Sequence, residues 1–188
     1  LGTVAALGLS RPHMPFKAVL MAILISPMIV PLIITAAGMF FFYSKIGLTH
    51  TYLGLILAHT ALGTPFVVIT VTATLTGFDT NLIRASQSLG ADTMRTFFKV
   101  IMPLILPGVI SGGLFAFITS FDEVVIVMFI GSVEQITIPK QMWAGLRQET
   151  SPVILCMATC LVALSIALLT TVEMLRRRSE RLRGIKQR

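Results

Sequence analysis

The chain has 188 residues, of which 55% are hydrophobic and 12% charged, and its mean hydropathy is +0.88. Soluble domains have roughly 45–50% apolar and 25% charged residues, so a soluble globular fold is excluded. The formal net charge of +7 does not indicate nucleic-acid binding, because seven of the fifteen basic residues lie in a tail at 176–188 and the rest of the chain is close to neutral.

Four apolar segments are long enough to cross about 30 Å of hydrocarbon at about 1.5 Å per residue. They are predicted at about 18–43, 52–75, 107–130 and 152–175. Residues 1–9 are apolar but too few to cross, and we interpret them as the end of a truncated span. The sequence therefore predicts an all-α, polytopic transmembrane helical bundle over residues 1–175, followed by the basic tail 176–188.

The basic residues predict the orientation of this bundle. Twelve Lys and Arg residues lie in the segments on one side of the membrane and three lie on the other. Positive charge is retained in the cytoplasm, so segment 77–103 and the C-terminus are predicted to be cytoplasmic. The tail is expected to contact anionic membrane lipid.

Several spans are predicted to be bent or closely packed. Pro27 and Pro31 lie one turn apart in the first span, and Gly63-Thr64-Pro65 interrupts the second, either to shape the bundle or to line a path. In the third span, small residues recur every fourth position, which predicts close packing against a helix of this chain or of another. They are Gly108, Gly112 and Ala116.

Asp122 and Glu123 are the clearest anomaly, because both lie inside a predicted apolar span. A carboxylate at mid-bilayer costs roughly 2.5–3.5 kcal/mol, so both should face protein, water or a cation. They either line a path for a cationic solute or proton, or are interior acids satisfied by neighbouring groups. Adjacent helical residues point about 100° apart, so the two cannot serve one ligand from the same face. His59 is either a proton relay or a hydrogen-bonded packing histidine.

No catalytic or metal-binding motif is present in the sequence. His, Cys, Asp and Glu nowhere take zinc spacing, and HExxH, GxSxG and the phosphate loop GxxxxGK[ST] do not occur. We therefore expect no catalytic residue, metal or cofactor in this chain, and no means of hydrolysing ATP.

The polar segment 77–103 predicts two short helices joined by a glycine corner. The first helix ends at Leu89, and Gly90 closes it in the left-handed conformation. The second begins after Asp92 and ends at Ile101, before Pro103. Apolar side chains on both helices exceed what a solvated loop exposes, so the segment either docks a partner or packs back on the bundle.

A second amphipathic helix is predicted from Thr137 to Thr150, begun by Pro139. Trp143 lies on its apolar side and is expected to anchor it at the membrane interface.

The sequence Arg84-Ala85-Ser86-Gln87-Ser88-Leu89-Gly90-Ala91 resembles the start of the EAA loop of binding-protein-dependent ABC importer permeases. Gly90 and Pro103 fall at the separation that this family pattern requires. Arg84 stands where the family usually has Glu, and Ser86 where it has Ala. The resemblance assigns ATPase coupling to these residues: Arg84, Ala85, Ser86, Leu89, Gly90, Ala91, Phe97, Phe98 and Pro103.

The resemblance extends over nearly the whole chain. Segments 26–31, 57–59, 65–68 and 120–125 are similar to the spermidine/putrescine branch of that family, including its opine-type relatives. Family members usually have about six helices, so the resemblance implies an N-terminal part that precedes this sequence.

The resemblance implies a permease subunit of an ATP-driven importer in the bacterial inner membrane, moving a small solute such as spermidine or putrescine. Its expected partners are a dimer of cytoplasmic ABC ATPases, which bind ATP and Mg, a second permease subunit and a periplasmic solute-binding protein. The translocation path is expected to include Asp122, Glu123, His59 and Pro65. The alternatives are a permease for an opine, phosphonate or other solute, and a proton-coupled transporter or channel driven through these ionisable groups. A membrane enzyme is disfavoured.

Overall fold

The computed structural model describes residues 1–11, 14–79, 81–148 and 152–182, and all regular structure within them is helical. The prediction of an all-α transmembrane bundle is therefore confirmed. The described residues form these helices: α1 (Gly2–Leu9), α2 (Lys17–Ile29), α3 (Leu32–Ile46), α4 (Tyr52–Thr76), α5 (Asn81–Ser88), α6 (Thr93–Thr96), a π-helical turn (Phe97–Ile101), α7 (Met102–Phe121), α8 (Val125–Ile130), α9 (Ile138–Gln148) and α10 (Pro152–Leu182).

Three helical stretches of the described chain are long and apolar enough to cross a membrane. They are Tyr52–Thr76, Thr93–Phe121 and Pro152–Thr171. A fourth crossing results only if α2 and α3 are taken together as one broken span.

The first predicted span, 18–43, is broken into two arms. α2 and α3 are bent by 107° relative to each other. Val30 lies between them in an extended conformation, with φ −70° and ψ 135°. The cause is Pro31, because a proline disfavours the helical conformation of the residue before it and cannot donate a helical hydrogen bond. Pro27, in contrast, lies inside α2.

The second predicted span, 52–75, is not interrupted, although its proline predicts a break. α4 is continuous from Tyr52 to Thr76, and Gly63-Thr64-Pro65 does not interrupt it. α7 packs directly against this turn, since a Cβ added at Gly63 would lie 2.9 Å from the Cβ of Ala116. Close packing by a neighbouring helix supports the helical geometry where the proline has removed a hydrogen bond.

The small residues of α7 find their partner helix in α4 of the same chain. A Cβ at Gly108 would collide with Thr74, and a Cβ at Gly112 would lie 2.7 Å from the Cα of Val67. Together with the contact of Gly63 and Ala116, these two glycines form what we call the α4–α7 seam. The predicted close packing is present, and its partner lies within this chain.

The third predicted span, 107–130, is shifted and broken in the structure. The helix begins at Thr93 and ends at Phe121, and α8 begins separately at Val125. Asp122 and Glu123 therefore lie in a break between two helices and not inside a span. Polar side chains at a break can bond the free backbone groups of the helix ends. The hydropathy of the segment does not show that such a break is present.

The second helix of segment 77–103 also does not end before Pro103. The N–H of Met102 bonds the carbonyl of Phe97 across the π-helical turn, and α7 continues from there. A proline clashes with the carbonyl four residues before it, and a π-helical turn provides a wider geometry at that point.

α4 connects the two buried clusters of the bundle. One lies towards its start and includes Ala58 and Leu62, packed with residues of α3 and α8. The other lies towards its end and joins Val71 to Ala6 of α1 and Ile105 of α7. We call the end with the α3–α4 turn and the α8–α9 loop the upper end, and the end with segment 77–103 the lower end.

The last two helices lie at the periphery. Only 6% of the apolar window of α10 is buried, so most of this helix faces outwards.

α10 continues to Leu182, so the first part of the predicted tail, 176–182, is helical; residues 183–188 lie outside the described part of the chain. α9 begins at Ile138, one residue after the predicted start; residues 149 and 150 lie outside the described residues.

Candidate functional site

Two regions could carry function, one at each end of the bundle. At the lower end, segment 77–103, which we call the coupling segment, forms the predicted helix, glycine corner and helix. Gly90 has φ +79°, and the N–H groups of Gly90 and Ala91 bond the carbonyls of Gln87 and Ser86. This pair of bonds is a Schellman motif, which requires a left-handed residue after the helix. The predicted corner is present.

Side chains fix the second half of the corner. The Asp92 carboxylate accepts a hydrogen bond from the N–H of Arg95 (2.7 Å) and so caps α6. The hydroxyls of Ser86 and Thr96 are hydrogen-bonded at 2.9 Å and join α5 to α6. The two short helices therefore form one unit, although each is too short to be stable alone.

The coupling segment exposes apolar side chains. Leu89 is 88% exposed and Phe98 is 60% exposed. Arg84, Ala85 and Pro103 are also exposed, whereas several residues of the predicted coupling set are partly buried: Ser86, Ala91 and Phe97. The predicted residues thus divide into an outward set and a set that holds the corner together.

A cavity of about 420 Å³ separates the coupling segment from the bundle. Ile83 and Gln87 line it from α5, and Leu75 and Phe78 line it from the end of α4. The second half of the segment continues without a break into α7 through the π-helical turn.

The larger cavity, of about 900 Å³, lies at the upper end between the first half of α4 and the second half of α7. We call it the upper cavity. The loop from Glu134 to Pro139 and the first residues of α1 complete its wall. His59 lies in this wall, and its Nδ1 is hydrogen-bonded to the Ser120 hydroxyl at 2.8 Å.

Threonine hydroxyls add hydrogen-bond acceptors to this wall. Thr60 donates to the carbonyl of Ile56 and Thr64 donates to the carbonyl of Thr60, each at 2.6 Å. Because each hydrogen is used within the helix, the hydroxyl oxygens keep lone pairs that can accept a bond from a ligand. Among the described residues that line the upper cavity, none is Lys or Arg.

The other predicted path residues lie outside the lining of the upper cavity. Glu123 is buried, and its Oε1 accepts a hydrogen bond from the N–H of Ile126 (2.8 Å), which caps the start of α8. Asp122 is exposed in the break. Pro65 is buried within α4. Of the four predicted path residues, the structure places His59 alone in the cavity wall.

α8 is held at both ends by hydrogen bonds. Glu123 caps its start, and at its end the backbone N–H of His50 bonds the carbonyl of Ile130 at 2.8 Å. The imidazole of His50 adds a bond from Nδ1 to the carbonyl of Gly131. Free helix ends near an apolar phase need such partners, so Glu123 has a structural task whatever else it does.

Sequence reasoning missed two polar residues of the upper cavity, Glu134 and Gln135. They lie in the segment between two predicted spans, a few residues before α9. A polar stretch directly after the predicted span end at Ile130 is the available signal, but the sequence does not show whether such a stretch lines a cavity or only connects two spans.

Comparison with known proteins gives one family. A sequence model described as "binding-protein-dependent transport system inner membrane component" matches residues 1–181. The chain is 29% identical over 178 residues to the spermidine/putrescine transport system permease protein PotC of Haemophilus influenzae, an alignment covering 95% of this chain and 69% of that protein. It is 29% identical over 175 residues to the putrescine transport system permease protein PotI of Escherichia coli, covering 86% of this chain and 60% of that protein.

A solved structure has a similar fold. A chain of the MetNI methionine ABC transporter, in an inward-facing conformation, superimposes with a TM-score of 0.75 and 21% sequence identity. The match covers 95% of this chain and 86% of that chain. At this identity the likeness shows the fold.

Proposed function

The chain belongs to the family of inner membrane components of binding-protein-dependent transport systems, and we propose that the solute it moves is a small cationic amine such as spermidine or putrescine. The chain is a permease subunit and not an enzyme, since ATP hydrolysis in this family resides in a separate subunit. It is a multi-pass inner membrane protein. The names of the relatives PotC and PotI support the choice of solute.

The chemistry of the upper cavity carries this proposal. Its wall offers hydroxyl, imidazole and amide acceptors and a carboxylate, and its described lining holds no Lys or Arg. The rest of the lining is mainly apolar. An ammonium group donates several hydrogen bonds and carries positive charge, so it suits these few acceptors and the negative group among them. In this proposal His59 borders the route directly, Asp122 adds negative charge at its upper end, and Glu123 and Pro65 shape its wall from the buried side.

We propose the coupling segment as the docking site of the ATPase. Its exposed apolar side chains would fill a groove on the ATPase surface, and closure of an ATPase dimer would tilt the two short helices together. Because the second of these helices continues into α7, a tilt would reach the α4–α7 seam and the upper cavity. Such rigid-body movement is a common way of coupling two sites.

The proposed orientation follows from the distribution of Lys and Arg. The coupling segment and the C-terminus would face the cytoplasm, and the upper end would face the periplasm, where a solute-binding protein releases its cargo. A second permease subunit, identical or different, would complete the route.

Reconstitution of the permease with its partner ATPase and solute-binding protein tests the proposal. Proteoliposomes should take up labelled spermidine or putrescine when ATP and loaded binding protein are present, and an ATPase variant that cannot hydrolyse ATP should abolish uptake. ATP-driven uptake of an opine or a phosphonate, with no uptake of either amine, would replace the amine by that solute. Uptake driven by a proton gradient without ATP would instead favour the secondary transporter.

The predicted path acids can be tested in the same assay. Asp122→Asn should lower the maximal rate of amine uptake if its charge helps to attract the amine. Glu123→Gln keeps an oxygen that can cap α8 while removing the charge, so it separates the structural task from an electrostatic one. Unchanged uptake in both variants, at equal expression, would show that neither charge contributes.

A further inference from the structure

Glu134 is the carboxylate that the structure places on the upper cavity. Asp122 and Glu123 were the acids that the sequence singled out, but neither belongs to the lining of this cavity, and Glu123 is bonded to the start of α8. Glu134 is exposed, so its carboxylate reaches both the solvent and the mouth of the cavity.

The loop that carries Glu134 is held in one conformation by hydrogen bonds. The Ser132 N–H donates to the Gln135 side-chain oxygen (2.9 Å), and the Gln135 N–H donates to the Ser132 hydroxyl (3.2 Å). The N–H of Ile136 also bonds the carbonyl of Glu134. These bonds fix the backbone that carries the carboxylate, so only the Glu134 side chain itself has to be ordered when a ligand binds.

The nearby cation, Lys140, is engaged elsewhere. Its Nζ donates to the carbonyls of Ser132 (3.0 Å) and Gln135 (3.1 Å), the two residues on either side of the pair 133–134. Within the part of the chain that the structure describes, no ion pair joins a Lys or Arg to the Glu134 carboxylate. Lys140 therefore fixes the loop while the charge of Glu134 remains available to a ligand.

The rest of the cavity wall also offers hydrogen-bond acceptors. His59 and Ser120 form their hydrogen-bonded pair in the cavity, and the hydroxyl oxygens of Thr60 and Thr64 offer lone pairs. A flexible chain with an ammonium group at each end could place one group at Glu134 and the other among these acceptors. A monoamine or an anion could not use both regions.

We propose that Glu134 is a specificity-determining residue that receives an ammonium group of the amine at the mouth of the upper cavity. This inference rests on the proposed function, because it names the residue that selects the cationic solute. The delivery protein captures the amine from solution, so Glu134 acts after release. Its loss should therefore lower the maximal uptake rate and leave the concentration of binding protein that gives half of that rate unchanged.

The test uses proteoliposomes with the complete complex and loaded binding protein titrated up to saturation, which gives both the maximal rate and the half-saturating concentration. Glu134→Gln removes the charge and keeps the size of the side chain, and we expect the maximal rate of spermidine uptake to fall about fivefold, the loss of one partly exposed ion pair. Glu134→Asp should restore most of the rate. Val133→Gln introduces the same side chain at the neighbouring, 90% exposed position and should leave the rate unchanged.

Each outcome has a distinct meaning. If the wild-type complex takes up neither amine, the proposed function fails before Glu134 is examined. If the wild type transports and Glu134→Gln transports equally well, the role of Glu134 is refuted. A rise in the half-saturating concentration of binding protein would mean that Glu134 docks that protein, and an equal loss in Val133→Gln would mean that the loop conformation matters and the charge does not. Either result overturns the proposal.

Discussion

The α4–α7 seam and the coupling segment both depend on glycine, but for different physical reasons. In the seam, Gly108 and Gly112 are needed for space, because an added Cβ would meet the side chain or backbone of α4. In the coupling segment, Gly90 has no atom within 4 Å of an added Cβ, but its φ is +79°. The first region uses glycine to bring two helices together, and the second uses it to turn the chain. Substitution should accordingly damage folding in one region and coupling in the other.

Gly112→Val should have the largest effect. Its side chain would be forced into Val67 and Thr70 of α4, and overpacking of this kind costs about 3 kcal/mol. We expect most of the folded protein to be lost, measured as the monodisperse fraction and the unfolding temperature in mild detergent. Gly113→Val is the matched control, since nothing lies within 4 Å of a Cβ at Gly113. Equal losses in the two variants would contradict the seam.

Gly90→Val should affect coupling more than folding. A branched side chain in the left-handed region costs about 1–2 kcal/mol, so the Schellman corner should open or shift. We expect ATP hydrolysis by the assembled complex to persist while solute uptake per ATP falls several-fold. Gly113→Val is again the control, because Gly113 lies outside the coupling segment, has open space around it and has no left-handed φ. Full coupling in Gly90→Val would refute the role of the corner angle.

Leu89→Ser should weaken the ATPase contact without changing the fold. Leu89 is almost fully exposed, so its loss removes little intramolecular packing, whereas an apolar anchor at an interface contributes about 1–2 kcal/mol. ATPase affinity, measured by titration in detergent, should fall about tenfold with an unchanged unfolding temperature. Val133→Ser, an equally exposed position at the upper end, should leave the affinity unchanged. A drop in both variants would point to a general loss of solubility.

Thr72→Val should have the smallest effect, and it should be stabilising. Within the described residues, the Thr72 hydroxyl is buried without a hydrogen-bond partner, so replacing it with a methyl group removes a desolvation cost of about 1 kcal/mol. Thr74→Val is the opposite case, because the Thr74 hydroxyl donates to the carbonyl of Thr70 (2.9 Å) and contacts Gly108. Unfolding temperatures should rise slightly for the first variant and fall for the second. The reverse order would show that the Thr72 hydroxyl stabilises the fold and that the hydrogen bond of Thr74 does not.

The coupling segment was predictable because its geometry is local. The spacing of Gly90 after a short helix and the position of Asp92 before the next one suffice for a corner, since the bonds of a Schellman motif and an N-cap join residues a few positions apart. The sequence did not predict that the second helix would run on through Pro103. Whether a proline ends a helix or is absorbed by a π-helical turn depends on what the following residues pack against.

The breaks in the spans also depend on contacts that the sequence does not show. Pro31 breaks the first span and Pro65 does not break the second, although both are prolines in apolar segments. At Pro65, α7 packs against Gly63 in the same turn, whereas Pro31 follows the extended residue Val30. No sequence pattern states which of the two arrangements a proline will adopt. The sequence predicts Asp122 and Glu123 as acids inside an apolar span. The structure places them in a break, because α8 is a separate helix whose start Glu123 caps.

The class of fold and the glycine corner followed from the sequence alone, because hydropathy, length and local backbone geometry are properties of short stretches of chain. The tertiary structure decided that α4 is the partner of Gly108 and Gly112, that Glu123 caps α8, and that Glu134 instead lines the upper cavity with His59 and Ser120. These relations join residues that are distant along the chain, and their distances are fixed only when the helices pack.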